Sequence, residues 1–132
     1  MASIFTRIIQ GEIPCYKIAE NDQFIAFLDI NPVAKGHTLV VPKVEIDYLF
    51  DQPDDVLAAM LPFAKKIARA IDEVTGCIRT GIIVEGLEVP HSHLHLIPIY
   101  PARKGFSLGI KSSVSKDDMS LIAEQIRSKV QL

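Results

Sequence analysis

The spacing of apolar positions along the chain switches between a helical and a strand period, and each switch marks an element. Ile4, Phe5, Ile8 and Ile9 recur at helical spacing behind Ser3, a residue suited to capping a helix, and Gly11 ends the segment. After Pro14, Cys15 to Ala19 and Phe24 to Ile30 read as two strands joined by the turn-forming Glu20-Asn21-Asp22, an antiparallel hairpin. Val33-Ala34-Lys35-Gly36 connects to His37 to Pro42, a β-branched run that reads as a third strand. Asp51-Gln52-Pro53-Asp54-Asp55 then opens a helix, with acidic residues at the positive end of its dipole. Its apolar positions, from Val56 and Leu57 through Met60, Leu61, Phe63, Ala64, Ile67, Ala68 and Ile71 to Val74, form a stripe too wide for a single covering surface. Pro62 inside that stripe predicts a kink or brief break, and Gly76 closes the helix.

Cys77 to Val84 reads as a fourth strand, Gly86-Leu87-Glu88 as a tight connection, and Val89 to Ile99 as a fifth strand paired antiparallel with it. Pro101 to Ser113 is rich in turn formers and basic residues and reads as a loop that could wrap near a site or a partner. Ser115 caps a last helix with Asp117 and Asp118 in its first turn and Met119, Ile122, Ile126 and Val130 on its apolar face. The prediction is an α+β fold, an antiparallel sheet of about five strands packed with a short N-terminal helix, one long central helix and a C-terminal helix. With 132 residues, 48% of them hydrophobic, the chain has enough core for one domain over 1–132, in which 101–132 forms a loop plus a C-terminal helix extension.

Three of the four histidines fall in one stretch, Pro90-His91-Ser92-His93-Leu94-His95-Leu96-Ile97-Pro98. On a strand the period of two sets His91, His93 and His95 on one face, and Leu94 and Leu96 on the other, toward a core. The imidazoles are then expected on the wetter face, and the fourth histidine, His37, opens a strand of its own.

A formal net charge of −2 without a block of like charge offers no stripe for a nucleic acid polymer, though a small anion remains a possible ligand. The N-terminal residues lack a long apolar run with a cleavage site, and no apolar stretch is long enough to span a bilayer. A soluble, cytoplasmic protein without a membrane partner is expected. Cys15 and Cys77 form no CxxC pair and are expected to be small core residues in a reducing compartment.

Three readings of the histidine row stay open from the residues themselves. One is a metal site, but His91 and His95 lie about 13 Å apart on an extended strand, so one ion could take neighbours and not all three. A second is a set of partly exposed strand histidines without a role. The third is phosphoryl chemistry, in which a neutral imidazole nitrogen attacks phosphorus while its neighbours donate hydrogen bonds to the phosphate or protonate a leaving group. His93 alone has imidazoles on both sides.

His91-Ser92-His93-Leu94-His95-Leu96-Ile97 resembles the signature of the histidine-triad superfamily. Three further blocks resemble it in the same order: Ile4 to Pro14, Phe27-Leu28-Asp29-Ile30-Asn31-Pro32, and Gly36 to Lys43. The resemblance implies a homodimer whose sheets join across subunits, acting on purine nucleotides without a cofactor. It implies a hydrolase or transferase of nucleoside 5′-monophosphate groups, working on phosphoramidates or dinucleoside polyphosphates through a covalent nucleotidyl-histidine intermediate. By position, His93 would be the nucleophile, its other ring nitrogen held by a backbone carbonyl. His95 would contact phosphate or leaving group, and His91 and His37 would complete the cluster. Asp29 would accept from the ribose hydroxyls, Phe5, Ile8, Phe27, Leu28 and Ile30 would shape the base pocket, and Gly86, Glu88 and Val89 would border the nucleotide.

Two departures matter. Where many relatives have a cysteine pair and a histidine that help to hold zinc, this chain has Ser3, Thr6 and Glu45, so no structural zinc is expected. The segment Val84 to His91 is shorter than usual, with Leu87 and Glu88 where polar phosphate contacts are expected, and the carboxylate of Glu88 would repel a phosphate. A nucleotide-binding module of the same fold with vestigial turnover is the alternative reading.

Overall fold

The computed structural model describes residues 2–101 and 108–132. The elements are α1 (Ile4–Ile9), β1 (Lys17–Glu20), β2 (Phe24–Leu28), β3 (Thr38–Pro42), a single 3-10 turn at Leu49–Asp51, α2 (Asp54–Thr75), β4 (Arg79–Ile83), β5 (Leu94–Ile99) and α3 (Lys116–Lys129). The strands form one antiparallel sheet in the order β1-β2-β3-β5-β4. This is the α+β architecture that the periodicity predicts, with shorter strands than the apolar runs.

The caps act as their residue types require. The Ser3 hydroxyl accepts from the Thr6 amide and the Ser115 hydroxyl from the Asp118 amide. Gly76 ends α2 in the left-handed region, at φ 65°, with its amide donating to the Asp72 carbonyl. Asn21 closes the first hairpin by accepting from the amides of Gln23 and Phe24.

The pleat sorts side chains between two cores. Phe24, Ala26, Leu28, Val40, Leu94 and Leu96 face α2 and α3, where Met60, Phe63, Ile67, Ile71, Met119, Ile122 and Ile126 close the main core. Ile25, Phe27, Leu39 and Val41 face the other way and are covered by Phe5 of α1. That second cover is why β2 is buried at every position rather than alternating. The α2 stripe is wide because it packs on both the sheet and α3.

Several expectations need correction. β5 begins at Leu94, so His91 and His93 precede the strand instead of lying on it. The backbone explains why: Pro90 has no amide hydrogen, the His91 amide donates to Val89 and the Ser92 amide donates to Ile46, so none joins the ladder. The histidines are not on a wet face either. His37 and His91 are completely buried, and His93 and His95 are 5% and 6% exposed. α2 runs unbroken through Pro62. Both cysteines are free, as expected, but half-buried instead of core residues. In the predicted loop from Pro101 to Ser113, residues 102–107 lie outside the described set. Beyond them Leu108 is buried and Ser112 donates to the carbonyls of Pro32 and Val33. Among the described residues no helix is long and apolar enough to cross a membrane.

Because Ile126 of α3 is fully buried among sheet and α2 side chains, Ile126→Ala is expected to destabilise the fold by about 2–5 kcal/mol. Denaturant unfolding measures this; a loss below ~1 kcal/mol would mean that α3 is only loosely attached.

Candidate active site

The sheet register sets the floor of the site. Phe27 lies opposite Leu39, and Leu39 lies opposite His95, so these side chains form one row on the face that α1 covers. Phe5 meets the row edge-on, with ring centroids 5.5 Å from Phe27 and 5.0 Å from His93. The turn 29–37 supplies the next side chains. Its ends are tied by the Asp29 amide on the His37 carbonyl, and Asn31 donates its amide to Asp29 Oδ1 at 2.8 Å. Gly36 lets this turn close: its φ is +99°, and a Cβ there would lie 3.2 Å from Thr75 and 3.4 Å from Pro98.

The imidazole protons follow from their partners. The Val33 amide donates to His37 Nδ1 at 3.0 Å, so in the neutral ring the proton sits on Nε2. That Nε2–H donates to His95 Nδ1 at 2.9 Å, which leaves the His95 proton on its Nε2. His93 donates Nδ1–H to the His91 carbonyl at 2.7 Å, so its Nε2 carries a free lone pair. His91 in turn donates Nε2–H to the Pro42 carbonyl at 2.7 Å and accepts from the Ser3 hydroxyl at Nδ1, also 2.7 Å. The rings of His93 and His95 lie 4.8 Å apart, and one offers a lone pair where the other offers a proton.

Burial keeps His37, His93 and His95 neutral. Desolvation, aided by the neighbouring His95 and Lys111, lowers the His37 pKa to about 3. Desolvation together with His93 and Lys111 lowers that of His95 to about 4. His93 is also lowered, mainly by burial, although its bond to the His91 carbonyl and the charges of Asp29 and Glu88 oppose the shift. Burial raises the Asp29 carboxyl, with the Asn31 amide and Lys111 opposing. Each sign follows from whether the environment favours the charged form.

Two hollows meet at His93. A pocket of about 200 Å³ is lined by Phe5, Ile8, Phe27, Leu28, Asp29, Ile30, Glu88, Val89, His93 and His95. A second hollow of about 490 Å³ is lined by Asp47, Tyr48, Phe50, Glu85, Gly86, Leu87, Ser92 and His93. The sequence-predicted residues therefore converge, except that Gly86 borders the second cleft and that His37 and His91 lie behind the lining, bonded to His95 and Ser3. Pocket residues absent from the sequence reading include Ile13, Pro14, Cys15 and Leu39; their apolar character fits a core equally well, so no signal marked them. Gln52, predicted as part of a helix start, is buried and donates to the Ser92 hydroxyl at 3.1 Å.

A model of the HIT domain family matches residues 10–102. The chain belongs to the HIT domain family. An adenosine 5′-monophosphoramidase of Schizosaccharomyces pombe is 36% identical over 132 residues, covering 98% of this chain and 99% of that protein. Among solved structures, a HIT-like protein from Bartonella henselae, described as involved in cell-cycle regulation, superposes with a TM-score of 0.84 at 30% identity, covering 96% of this chain and 95% of that chain. A Zn-bound histidine triad family protein from Mycobacterium smegmatis does so with a TM-score of 0.82 at 29% identity, covering 98% and 94% of the two chains.

The residues of this HIT chain do not fit a structural zinc. Ser3, Thr6, Glu45 and His91 do converge, but they offer two neutral hydroxyls, one carboxylate and one imidazole, whereas zinc is held by thiolate, imidazole and carboxylate donors. Asp29, His37 and His95 also lie with one ligand atom each within 4.8 Å of one another. Both His37 nitrogens are already used, one accepting from Val33 and one donating to His95.

The depressed His37 pKa carries a stability consequence. An unfolded chain takes up a proton at this residue near pH 6.5, which the native state resists until about pH 3, so this contribution is complete above 6.5 and is lost as pH falls toward 3. The denaturant midpoint is expected to fall steadily across that window. His37→Gln should lessen the slope, even if it lowers stability throughout; an unchanged slope would show that His37 is not held neutral.

Proposed function

We propose that the protein hydrolyses nucleoside 5′-monophosphoramidates, with His93 as nucleophile. The observation that carries this reading is the His93 Nδ1–H bond to the His91 carbonyl, which leaves the Nε2 lone pair unused on a ring that lines both hollows. The S. pombe relative, matched along nearly its whole length, supports the same chemistry. In this reading the purine lies between Phe5, Ile8, Phe27, Leu28 and Ile30, the ribose hydroxyls donate to Asp29, and Glu88 and Val89 border the nucleotide. His95 Nε2–H donates to a non-bridging phosphate oxygen, and His37 holds the tautomer that allows it.

The lone pair on His93 Nε2 forms the bond to the α-phosphorus as the P–N bond breaks, and the leaving amine takes its proton from solvent in the second hollow. Water then attacks the nucleotidyl-histidine: its oxygen bonds to phosphorus as the His93 Nε2–P bond breaks, its proton passes to solvent, and the monophosphate leaves with the Nε2 lone pair restored. No general base is needed at the nucleophile, because a neutral imidazole attacks without first being deprotonated. The acidic borders of the cleft, Asp47, Glu85 and the nearby Glu88, favour departure of an amine over that of a phosphate or sulfate.

The reading extends to a homodimer that joins two sheets. β4 lies at the sheet edge and exposes Ile82, while Leu61 of α2 is exposed beside it along one groove. An unpaired edge with apolar neighbours invites pairing with a second copy.

Two outcomes are expected. With adenosine 5′-phosphoramidate, His93→Ala should lower kcat by at least about a thousandfold, as loss of a covalent nucleophile does, while AMP binding by calorimetry persists. Equal rates for both proteins would favour the binding module. Ile82→Lys should shift the sedimentation profile from dimer to monomer, and a wild-type chain that sediments as a monomer would end the dimer proposal.

A further inference from the structure

The four side chains that fail as a zinc cage form a closed hydrogen-bonded set. The Glu45 carboxylate accepts from the Ser3 amide and from the Thr6 hydroxyl, each at 2.6 Å. Since the Thr6 proton is committed to Glu45, Thr6 Oγ1 is an acceptor for anything else. The Ser3 hydroxyl accepts from the Thr6 amide at 3.0 Å and directs its own proton to His91 Nδ1, 2.7 Å away. His91 requires a donor at that nitrogen, because its other nitrogen already donates to the Pro42 carbonyl. Each donor's shortest contact defines this order, and longer contacts of 3.4 Å from Ser3 Oγ to Thr6 Oγ1 and between Thr6 Oγ1 and His91 Nδ1 close the set. Its two ends are fixed because a carboxylate only accepts and so does a carbonyl.

We propose that Glu45 is a positioning residue for His93, acting through Thr6, Ser3 and His91 as a metal-free clasp on the backbone carbonyl that holds the His93 ring. The proposal rests on His93 as the nucleophile. The clasp joins residues far apart in sequence: Ser3 to Glu45 across 42 positions and Ser3 to His91 across 88. It thereby ties the start of α1, and with it Phe5 against the His93 ring, to the segment entering β5. His91 is fully buried, so a change of its tautomer has no water to absorb the mismatch and must move the main chain at residue 91, where the carbonyl accepts from His93. Outer-shell hydrogen bonds of this kind fix ring tautomer and orientation around metals, and the same logic holds with a hydroxyl proton at His91 Nδ1. The Thr6 hydroxyl and the Ser3 amide hold Glu45 at a pKa of about 2, so the anchor stays charged at neutral pH.

The test compares the full-length wild type with Glu45→Leu, Glu45→Gln and Thr6→Val, using adenosine 5′-phosphoramidate turnover and 15N spectra of the histidine rings without substrate. Glu45→Leu and Thr6→Val are expected to lower kcat by roughly tenfold or more, in the range found for outer-shell partners, and to leave KM nearly unchanged. Glu45→Gln keeps an oxygen acceptor for both donors and should retain most of the rate. In the 15N spectra the wild type should show His93 as the Nδ1–H tautomer alone and His91 as Nε2–H, as should Glu45→Gln, whereas Glu45→Leu and Thr6→Val should show mixtures. Circular dichroism checks that each variant folds, and Thr6→Val changes the fewest atoms. The wild type should keep full activity in chelator. A Glu45→Leu protein with wild-type kcat and spectrum, or a wild type that loses activity when stoichiometric zinc is removed, would overturn the clasp. If the wild type proves inactive, the proposed function fails and the ring spectra alone decide the clasp.

Discussion

The bond from His93 Nδ1–H to the His91 carbonyl, 2.7 Å long, is the constraint on which the site depends. A neutral imidazole has one proton and one lone pair, and a main-chain carbonyl accepts only, so this contact decides which nitrogen faces the pocket. The same rule fixes the other rings. Val33 fixes His37, His37 fixes His95, and Pro42 with Ser3 fixes His91. Four buried imidazoles that interconverted freely would present a mixture of lone pairs and protons. Here the main chain selects one arrangement, in which His93 offers a lone pair beside the His95 proton.

Burial makes the arrangement chemically useful and thermodynamically costly at the same time. Removing water from His37 and His95 lowers their proton affinity, so the rings stay neutral well below their usual range. The fold must then supply partners for each polar atom, since an unpaired one in this interior would cost on the order of 1–3 kcal/mol. The two-sided sheet meets that demand for the ring nitrogens turned away from the hollows, while Gln52 Oε1 is left without a partner among the described residues. The main core on α2 and α3 holds β3 and β5 in register, while α1 closes the opposite face and delivers both Phe5 and the Ser3 hydroxyl to the histidines. α1 is thus less a separate decoration than the lid of the pocket. Its six residues could not hold a helix alone, and its cap and its apolar face are both spent on the site.

Carboxylates border both hollows. The pocket that the reading assigns to the nucleoside carries Asp29 and Glu88, and the second hollow carries Asp47 and Glu85. Among the described residues, Lys111 is the basic side chain that acts on Asp29, His37 and His95 alike. It follows directly before Ser112, which is pinned to the 32–33 main chain, so a positive charge stands near the turn that carries Asp29 and His37. In the proposed reading a phosphate entering the site would meet neutral donors and one cation against several carboxylates, a balance that would suit a singly charged phosphoramidate better than a polyphosphate chain.

By itself the sequence determined the order and type of the elements, the antiparallel hairpins, and the caps at Ser3 and Ser115. These are matters of local periodicity and residue chemistry, which survive without knowledge of distant neighbours. The family resemblance supplied the expected grouping of the histidines with Asp29 and the apolar pocket residues, and their expected roles, including a carbonyl behind His93. Tertiary structure decided the rest. Pro90 and the Ile46 carbonyl stop the strand short of His91 and His93, so alternation along one strand, which explained the motif well as a pattern, is not its geometry. Whether the histidine face is wet depended on α1 folding over it, and the meeting of Ser3, Thr6 and Glu45 at His91 joins segments that no local pattern connects. Burial and hydrogen-bond partners are properties of the folded surface between segments, and only the assembled chain fixes them.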